Sequence, residues 1–422
     1  MAYRVLTWAL PGALPGALLG ALVVGMGLAA GPVLAQDLQL SDEVKVDVYG
    51  FVLVNTQYTS GRTAPADVPV WALDEDDDEA FNIFAHQTRF GFKLTAPNVG
   101  SAALTGDIEL DLYGLRGDAN PGGITQTAPR TRLAYLKLDW EDTALTVGQD
   151  WVRAFAPLNP TSLAKMSIVE FSGSGNLWNR IPQIRLDHNL QLTDDTKALF
   201  NVALLKPFGA DADPTRPVDS DGDGDVDAWR GVGQGDLVGG GEQSGLPFVQ
   251  ARAAFNMPIG KRALEVGFAG HYGREDYAEE DLLSYGLALD LDVPFSEICG
   301  LMGELYTGRN LRMFFSNSFH LGNPNLDSSA DEQRADGGWV QLTVKPNDPG
   351  SINVGYGYED LDDADEVGAG AVKKNQTIFA NYLHSFTERF RMAFEVIRID
   401  TNYENADDED ALVCDLAWQL LF

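Results

Sequence analysis

From Val44 onward the chain alternates apolar and polar positions. In VKVDVYGFVLVNTQY, Val46, Val48, Val52 and Val54 fall on one face and Lys45, Asp47, Tyr49 and Asn55 on the other, the two-residue period of a strand with one apolar side. His86 to Thr95 repeats it, with Phe90, Phe92 and Leu94 set against Arg89, Gly91 and Lys93. The next segment opposes Leu104, Ile108, Leu110 and Leu112 to Asp107, Glu109 and Asp111. A sandwich would turn its apolar faces onto a second apolar layer and leave the polar faces outside. Acids at every second position opposite an unbroken apolar row suit a closed wall with lipid outside and water inside. Extended along the chain, the alternation predicts strands near 44–58, 82–95, 102–113, 129–139, 143–150, 181–193, 196–207, 246–257, 262–274, 283–293, 299–312, 336–346, 350–360, 373–385, 389–402 and 410–422. That is about sixteen, an even number as in bacterial barrels.

The connections support the same architecture. APNVGS, WEDT, TDD, PIGK, PFSE, NDPG and SFTE are brief, whereas 59–81, 114–128, 151–180, 208–245, 312–335 and 361–372 are long. Short turns at one rim and long loops at the other are the signature of a meander across an outer membrane. The fold class expected is an all-β, 16-stranded antiparallel transmembrane β-barrel whose third long connection folds inward. Trp140, Phe295, Phe386, Phe390 and Phe422 fall at the short-turn ends, where an interfacial aromatic girdle belongs. The closing ALVCDLAWQLLF places Leu412, Cys414, Leu416, Trp418, Leu420 and Phe422 on one face, like the terminal assembly strand of outer-membrane barrels.

Charge and the termini narrow the class further. With 62 acidic against 30 basic residues, the formal net charge of −32 excludes nucleic acid as a natural partner. The acids gather in the inferred outer loops, at 74–79, 211–227, 279–281, 362–366 and 407–410, where divalent cations would bridge them to each other or to lipopolysaccharide or they would form a solvated face. Residues 1–35 read as a signal peptide: Arg4, an apolar run through Leu28, then Val33-Leu34-Ala35 as a small-residue cleavage pattern. No run of about 18 apolar residues follows, so no spanning helix is expected. Cys299 and Cys414 would sit on distant strands, out of disulfide reach. Within 219–227, Asp219, Asp221, Asp223, Asp225 and Asp227 match the first nine positions of a calcium loop, with Gly224 at the turn. Arg230 stands where that loop needs a bidentate acid, so calcium and a plain acidic loop both remain open. The five histidines lack metal-ligand spacing and no GxSxG element occurs, so no enzymatic chemistry is expected.

One long connection departs from the rest. Residues 151–180, WVRAFAPLNPTSLAKMSIVEFSGSGNLWNR, hold a single acid, Glu170, with Arg153, Lys165 and Arg180. A weakly charged, partly apolar loop is suited to lie inside the wall instead of in water. Arg185, alternating with Gln183, Asp187 and Asn189, is expected on the inner face beside it.

KVDVYG at 45–50, TRFGFKLT at 88–95, LTGDIEL at 104–110 and TRLAYLKL at 131–138 are similar to the first four strands of the trimeric porins of the Gram-negative outer membrane. GNLWNRIPQIRL at 175–186 resembles the DcaP-type family, porins associated with small carboxylate anions, though the coiled-coil extension of some members is missing. The resemblance implies a homotrimer in the outer membrane, in contact with its lipid and lipopolysaccharide, that passes small hydrophilic solutes. It also implies a third loop narrowing the pore opposite an arginine ladder, which places Arg89 and Arg132 in the ladder. The expected constriction is Arg89, Arg132, Arg153, Glu170, Arg180 and Arg185, with Glu170 across from Arg89 and Arg132. Each inward arginine could instead pair with Asp107, Glu109 or Asp111 and merely brace the wall. A structural or adhesive barrel with a plugged lumen is the competing class.

Overall fold

The structure, a computed structural model, describes residues 38–39, 43–73, 79–114, 127–207, 215–218, 228–231, 240–277, 280–317, 333–347, 349–362 and 371–422. The signal-peptide reading of 1–35 and the calcium pattern at 219–227 lie outside these residues.

Sixteen antiparallel strands form one closed sheet. They are β1 (Lys45–Thr59), β2 (Arg89–Val99), β3 (Ala102–Gly114), β4 (Ala128–Asp139), β5 (Thr143–Trp151), β6 (Arg180–Gln191), β7 (Lys197–Leu205) and β8 (Phe248–Ile259). The second half comprises β9 (Arg262–Tyr277), β10 (Glu280–Pro294), β11 (Cys299–Arg309), β12 (Arg334–Asn347), β13 (Gly350–Leu361), β14 (Val372–Ser385), β15 (Phe390–Tyr403) and β16 (Glu409–Leu421). Each strand pairs with its sequence neighbours, and the ring closes where β1 pairs with β16 in register from Phe51↔Leu421 to Thr59↔Val413. At that seam Gly50 and Phe422 exchange backbone hydrogen bonds at 3.2 and 3.1 Å. A Cβ on Gly50 would stand 2.4 Å from the Arg89 carbonyl oxygen of β2 and 2.8 Å from the Phe422 ring, so β1 fits between β2 and the C-terminal residue there only without a side chain. Closure leaves no unpaired edge, the condition for a sheet to cross lipid.

The two faces sort as the alternation predicts. Val52, Ile108, Leu136, Val147, Ile184, Leu186, Val202 and Leu305 are exposed on the outside. Asn55, Gln57, Asp107, Glu109, Asp111, Gln250, Asp290, Glu304, Gln341, Asn353, Asn381, Glu395, Asp415 and Gln419 face inward and are buried. A polar inner wall that is nonetheless buried means that something packs against it.

The packing comes from connections at the long-loop end. Apolar clusters join Val152, Ala154, Phe155 and Leu177 to Leu311, Met313 and Phe314, and set Phe171 against Trp339, Phe379 and Ile397. Val68, Val70 and Ala72, from the connection after β1, are also buried. Cys299 and Cys414 are free thiols.

Candidate functional site

The connection between β5 and β6 is held by side chains from much of the barrel wall. The Leu158 and Thr161 amides donate to Glu304 on β11 (2.8 Å) and Gln341 on β12 (2.7 Å). Ser162 Oγ donates to Glu395 on β15 at 2.7 Å, and Asn381 on β14 donates to the Thr161 carbonyl at 2.8 Å. From the opposite side Gln87 accepts the Met166 and Ser167 amides at 2.7 and 2.8 Å and donates to the Ala164 carbonyl at 2.7 Å. Asn55 on β1 reaches the Leu163 carbonyl, Arg89 on β2 the Met166 carbonyl, and Ser174 donates to Thr377 on β14. A loop of low charge can make such contacts because neutral backbone groups satisfy the wall's amides and carboxylates without bringing many further ions out of water.

The close approach depends on glycine. Gly175 adopts φ +104°, and a Cβ there would lie 2.2 Å from the Gly338 carbonyl oxygen and 2.5 Å from that of Tyr358. Phe171 packs 5.3 Å from Phe379 and 5.8 Å from Trp339. The same connection meets the one after β11: Trp178 stacks on Phe315 at 4.3 Å with an interplanar angle of 4°.

The predicted site residues divide into several environments. Arg132 is fully buried and pairs with Glu109 at 2.8 Å and Asp111 at 2.9 Å. Counting inward by twos from Leu138 and Leu136 would turn Arg132 toward lipid; a bulge opposite Glu109–Leu110 re-aims it. Arg89 lies 3.5 Å from Glu109, and Arg185 is buried between Asp150 (2.9 Å) and Asp187 (3.1 Å). These pairs are the bracing arrangement. Glu170 is buried and pairs with Lys165 of its own loop at 3.1 Å, with no bond to Arg89 or Arg132. The expectation of Glu170 facing the ladder across a gap therefore gives way to an ion pair internal to the loop, since two buried opposite charges in contact neutralise each other at lower cost than either left alone. Arg153 is exposed. Arg180 lies over the rings of Trp151 (4.9 Å) and Trp178 (5.1 Å).

Sequence reasoning missed Arg130, which grips Asp111 at 2.7 Å and lies over the Tyr113 ring at 4.9 Å. It also missed a cavity of about 410 Å³ near the short-turn rim, lined among others by Arg262, Asp292, Lys345 and Arg391. Arg262 is 3.5 Å from Asp292, and Arg391 donates to Gln419. An adjoining cavity of about 340 Å³ shares Arg262 and Asp292 and reaches Leu158 of the β5–β6 connection. Arg262, Lys345 and Arg391 come from β9, β12 and β15, so only the closed register brings them together; their inward parity on each strand was the available signal.

A closed sixteen-strand wall, apolar outside and polar inside, has the architecture of the outer-membrane porins. Neither a protein-family model nor a curated protein matches the sequence. Among solved structures the chain is similar to the outer membrane channel DcaP of Acinetobacter baumannii, with a TM-score of 0.68 and 19% identity over 92% of this chain and 100% of that one. It is similar also to an anion-selective porin from Comamonas acidovorans (TM-score 0.55, 13% identity, 90% of this chain and 100% of that one). OmpT of Vibrio cholerae in its trimer form matches with a TM-score of 0.52 and 12% identity over 90% of this chain and 100% of that one. At these identities the likeness is one of fold.

Proposed function

We propose that this chain is a passive outer-membrane channel of a Gram-negative bacterium for small hydrophilic solutes, favouring small anions such as carboxylates, and that it works as a homotrimer. The observation that carries the reading is the cavity where Arg262, Lys345 and Arg391 converge inside a wall that is apolar on its outer side. Fixed cations in a narrow space with low-dielectric walls raise the local concentration of anions. The names of two similar structures, an outer membrane channel and an anion-selective porin, agree with it, and the trimer follows the third.

In this reading the β5–β6 connection is an inward-folded constriction, supported by its bonds to Asn55, Gln87, Glu304, Gln341, Asn381 and Glu395. Arg153, exposed, and Arg180, on its tryptophans, bear on the solute path. Arg89, Arg132 and Arg185 chiefly fix the wall. A structural barrel with a plugged lumen is favoured by one observation, the dense packing of the connections after β1, β5 and β11 on one another. Reconstitution into a planar bilayer under a salt gradient separates the two. Ohmic conductance with a reversal potential toward the anion potential is expected; absence of conductance would overturn the channel, and a cation reversal potential the anion preference.

A further inference from the structure

The two halves of the β5–β6 connection are anchored differently. The first, 158–167, is bonded to Glu304, Gln341, Glu395 and Asn381 of the barrel wall and to Gln87. The second, 173–179, is bonded chiefly to another connection, the one after β11. The Phe315 and Phe314 carbonyls accept the Gly173 and Trp178 amides, each at 3.1 Å. Asn179 donates to the Met313 carbonyl at 2.7 Å, and the Trp178 indole lies flat on the Phe315 ring. The wall reaches this half through Thr377, which accepts the Ser174 hydroxyl, and through Asn375, which donates to the Gly173 carbonyl at 3.0 Å.

Asn317 ties this contact together. Its side-chain amide donates to the Gly173 carbonyl and accepts the Trp71 indole N–H at 2.7 Å. Its backbone amide donates to Glu359 on β13 at 2.9 Å. Trp71 belongs to the connection after β1, whose Val70 carbonyl accepts Asn375 at 2.9 Å and whose Ala72 amide donates to Thr401 at 3.1 Å. One side chain therefore joins three connections. They touch closely, for a Cβ on Gly173 would lie 2.8 Å from Val70 Cγ1 and 2.9 Å from Asn317 Oδ1. An amide suits the place because it carries a donor and an acceptor without charge. Asn317 is buried, so removing it leaves the Trp71 indole and the Gly173 carbonyl each short of a partner that bulk water does not reach.

We infer that Asn317 is the positioning residue of the second half of the β5–β6 connection, and that the connection after β11, through it, sets the width of the passage beside 173–179. The first half is fixed by the wall, which cannot move without opening the barrel. The second is fixed by a neighbouring connection, which can. The placement stands without the channel reading; only its effect on conductance rests on that reading.

The test is amide hydrogen exchange, read by mass spectrometry on the full chain folded in detergent, with peptides covering 158–167 and 173–179. In Asn317→Ala, exchange across 173–179 should be about tenfold faster than in the wild type, while 158–167 keeps its wild-type rate. A variant that merely loosened the barrel would speed both halves together. Trp71→Phe keeps an aromatic ring and removes only the donor to Asn317; it should shift 173–179 in the same direction by less, and it decides if Asn317→Ala does not fold. In planar bilayers the Asn317→Ala channel should conduct more than the wild type. Unchanged exchange in 173–179, or a rise shared by both halves, would overturn the inference, as would a variant channel whose conductance equals that of the wild type. A wild-type chain that passes no current overturns the channel reading alone, and the exchange rates still decide the role of Asn317.

Discussion

Arg132 shows how far a single residue departs from its sequence pattern. Its bulge turns it from the outer parity of Leu136 and Leu138 onto Glu109 and Asp111. Periodicity cannot announce a bulge, because one inserted residue flips every later side chain without changing composition. Once inside, Arg132 is worth more as a partner than as a free charge. Arg132→Met leaves two carboxylates buried without it and is expected to destabilise the barrel by about 3–5 kcal/mol, read from the shift of its urea unfolding midpoint. Arg153→Met, at an exposed position, should shift the same midpoint by about 0.5 kcal/mol or less. Glu170 carries the converse lesson: an acid alone in a basic loop reads as a pore residue, yet Lys165, five positions earlier in the same loop, takes it.

The β5–β6 connection was legible as an element and illegible in its attachments. Its low charge set it apart in the sequence, whereas the residues that hold it, Gln87, Glu304, Gln341, Asn381 and Glu395, are scattered over the chain and look like ordinary inward polar positions. Gln87 alone bonds three groups of the loop. Gln87→Ala should loosen that side of the loop and appear in bilayer recordings as larger and noisier single-channel conductance, with the folded fraction on unheated gels unchanged. Gly175→Ala should be harsher. Its φ of +104° and the 2.2 Å approach to the Gly338 oxygen leave no room for a methyl group. Loss of protease protection across 152–179, with the barrel itself still folded, is the expected outcome; an unchanged digestion pattern would show that the approach is not needed.

At the scale of the molecule, the sixteen strands and the two kinds of connection follow from the alternation and the loop lengths, because a barrel repeats one physical rule along its length. What alternation cannot supply is which strands' residues meet across the lumen. Arg262, Lys345 and Arg391 lie far apart in sequence and come to line one cavity, beside Asp292, only when β9, β12 and β15 curve around it. Replacing all three with glutamate should move the reversal potential under a salt gradient toward the cation potential while the barrel still folds. If the reversal potential stays where it was, selectivity is set elsewhere, and Arg153 and Arg180 become the residues to test.

The seam between β1 and β16 sets the order of assembly. Asn55 on one side bonds Asp415 on the other, 360 positions away, and bringing such distant segments together costs about 5 kcal/mol of chain entropy before any seam bond forms. Every other strand finds its partner beside it in the chain. The first and last strands therefore each keep an unpaired edge until the seam closes, and during that interval a foreign strand can pair at either of them. A free peptide with the sequence of residues 409–422 should accordingly slow refolding in proportion to its concentration while leaving the finished barrel untouched.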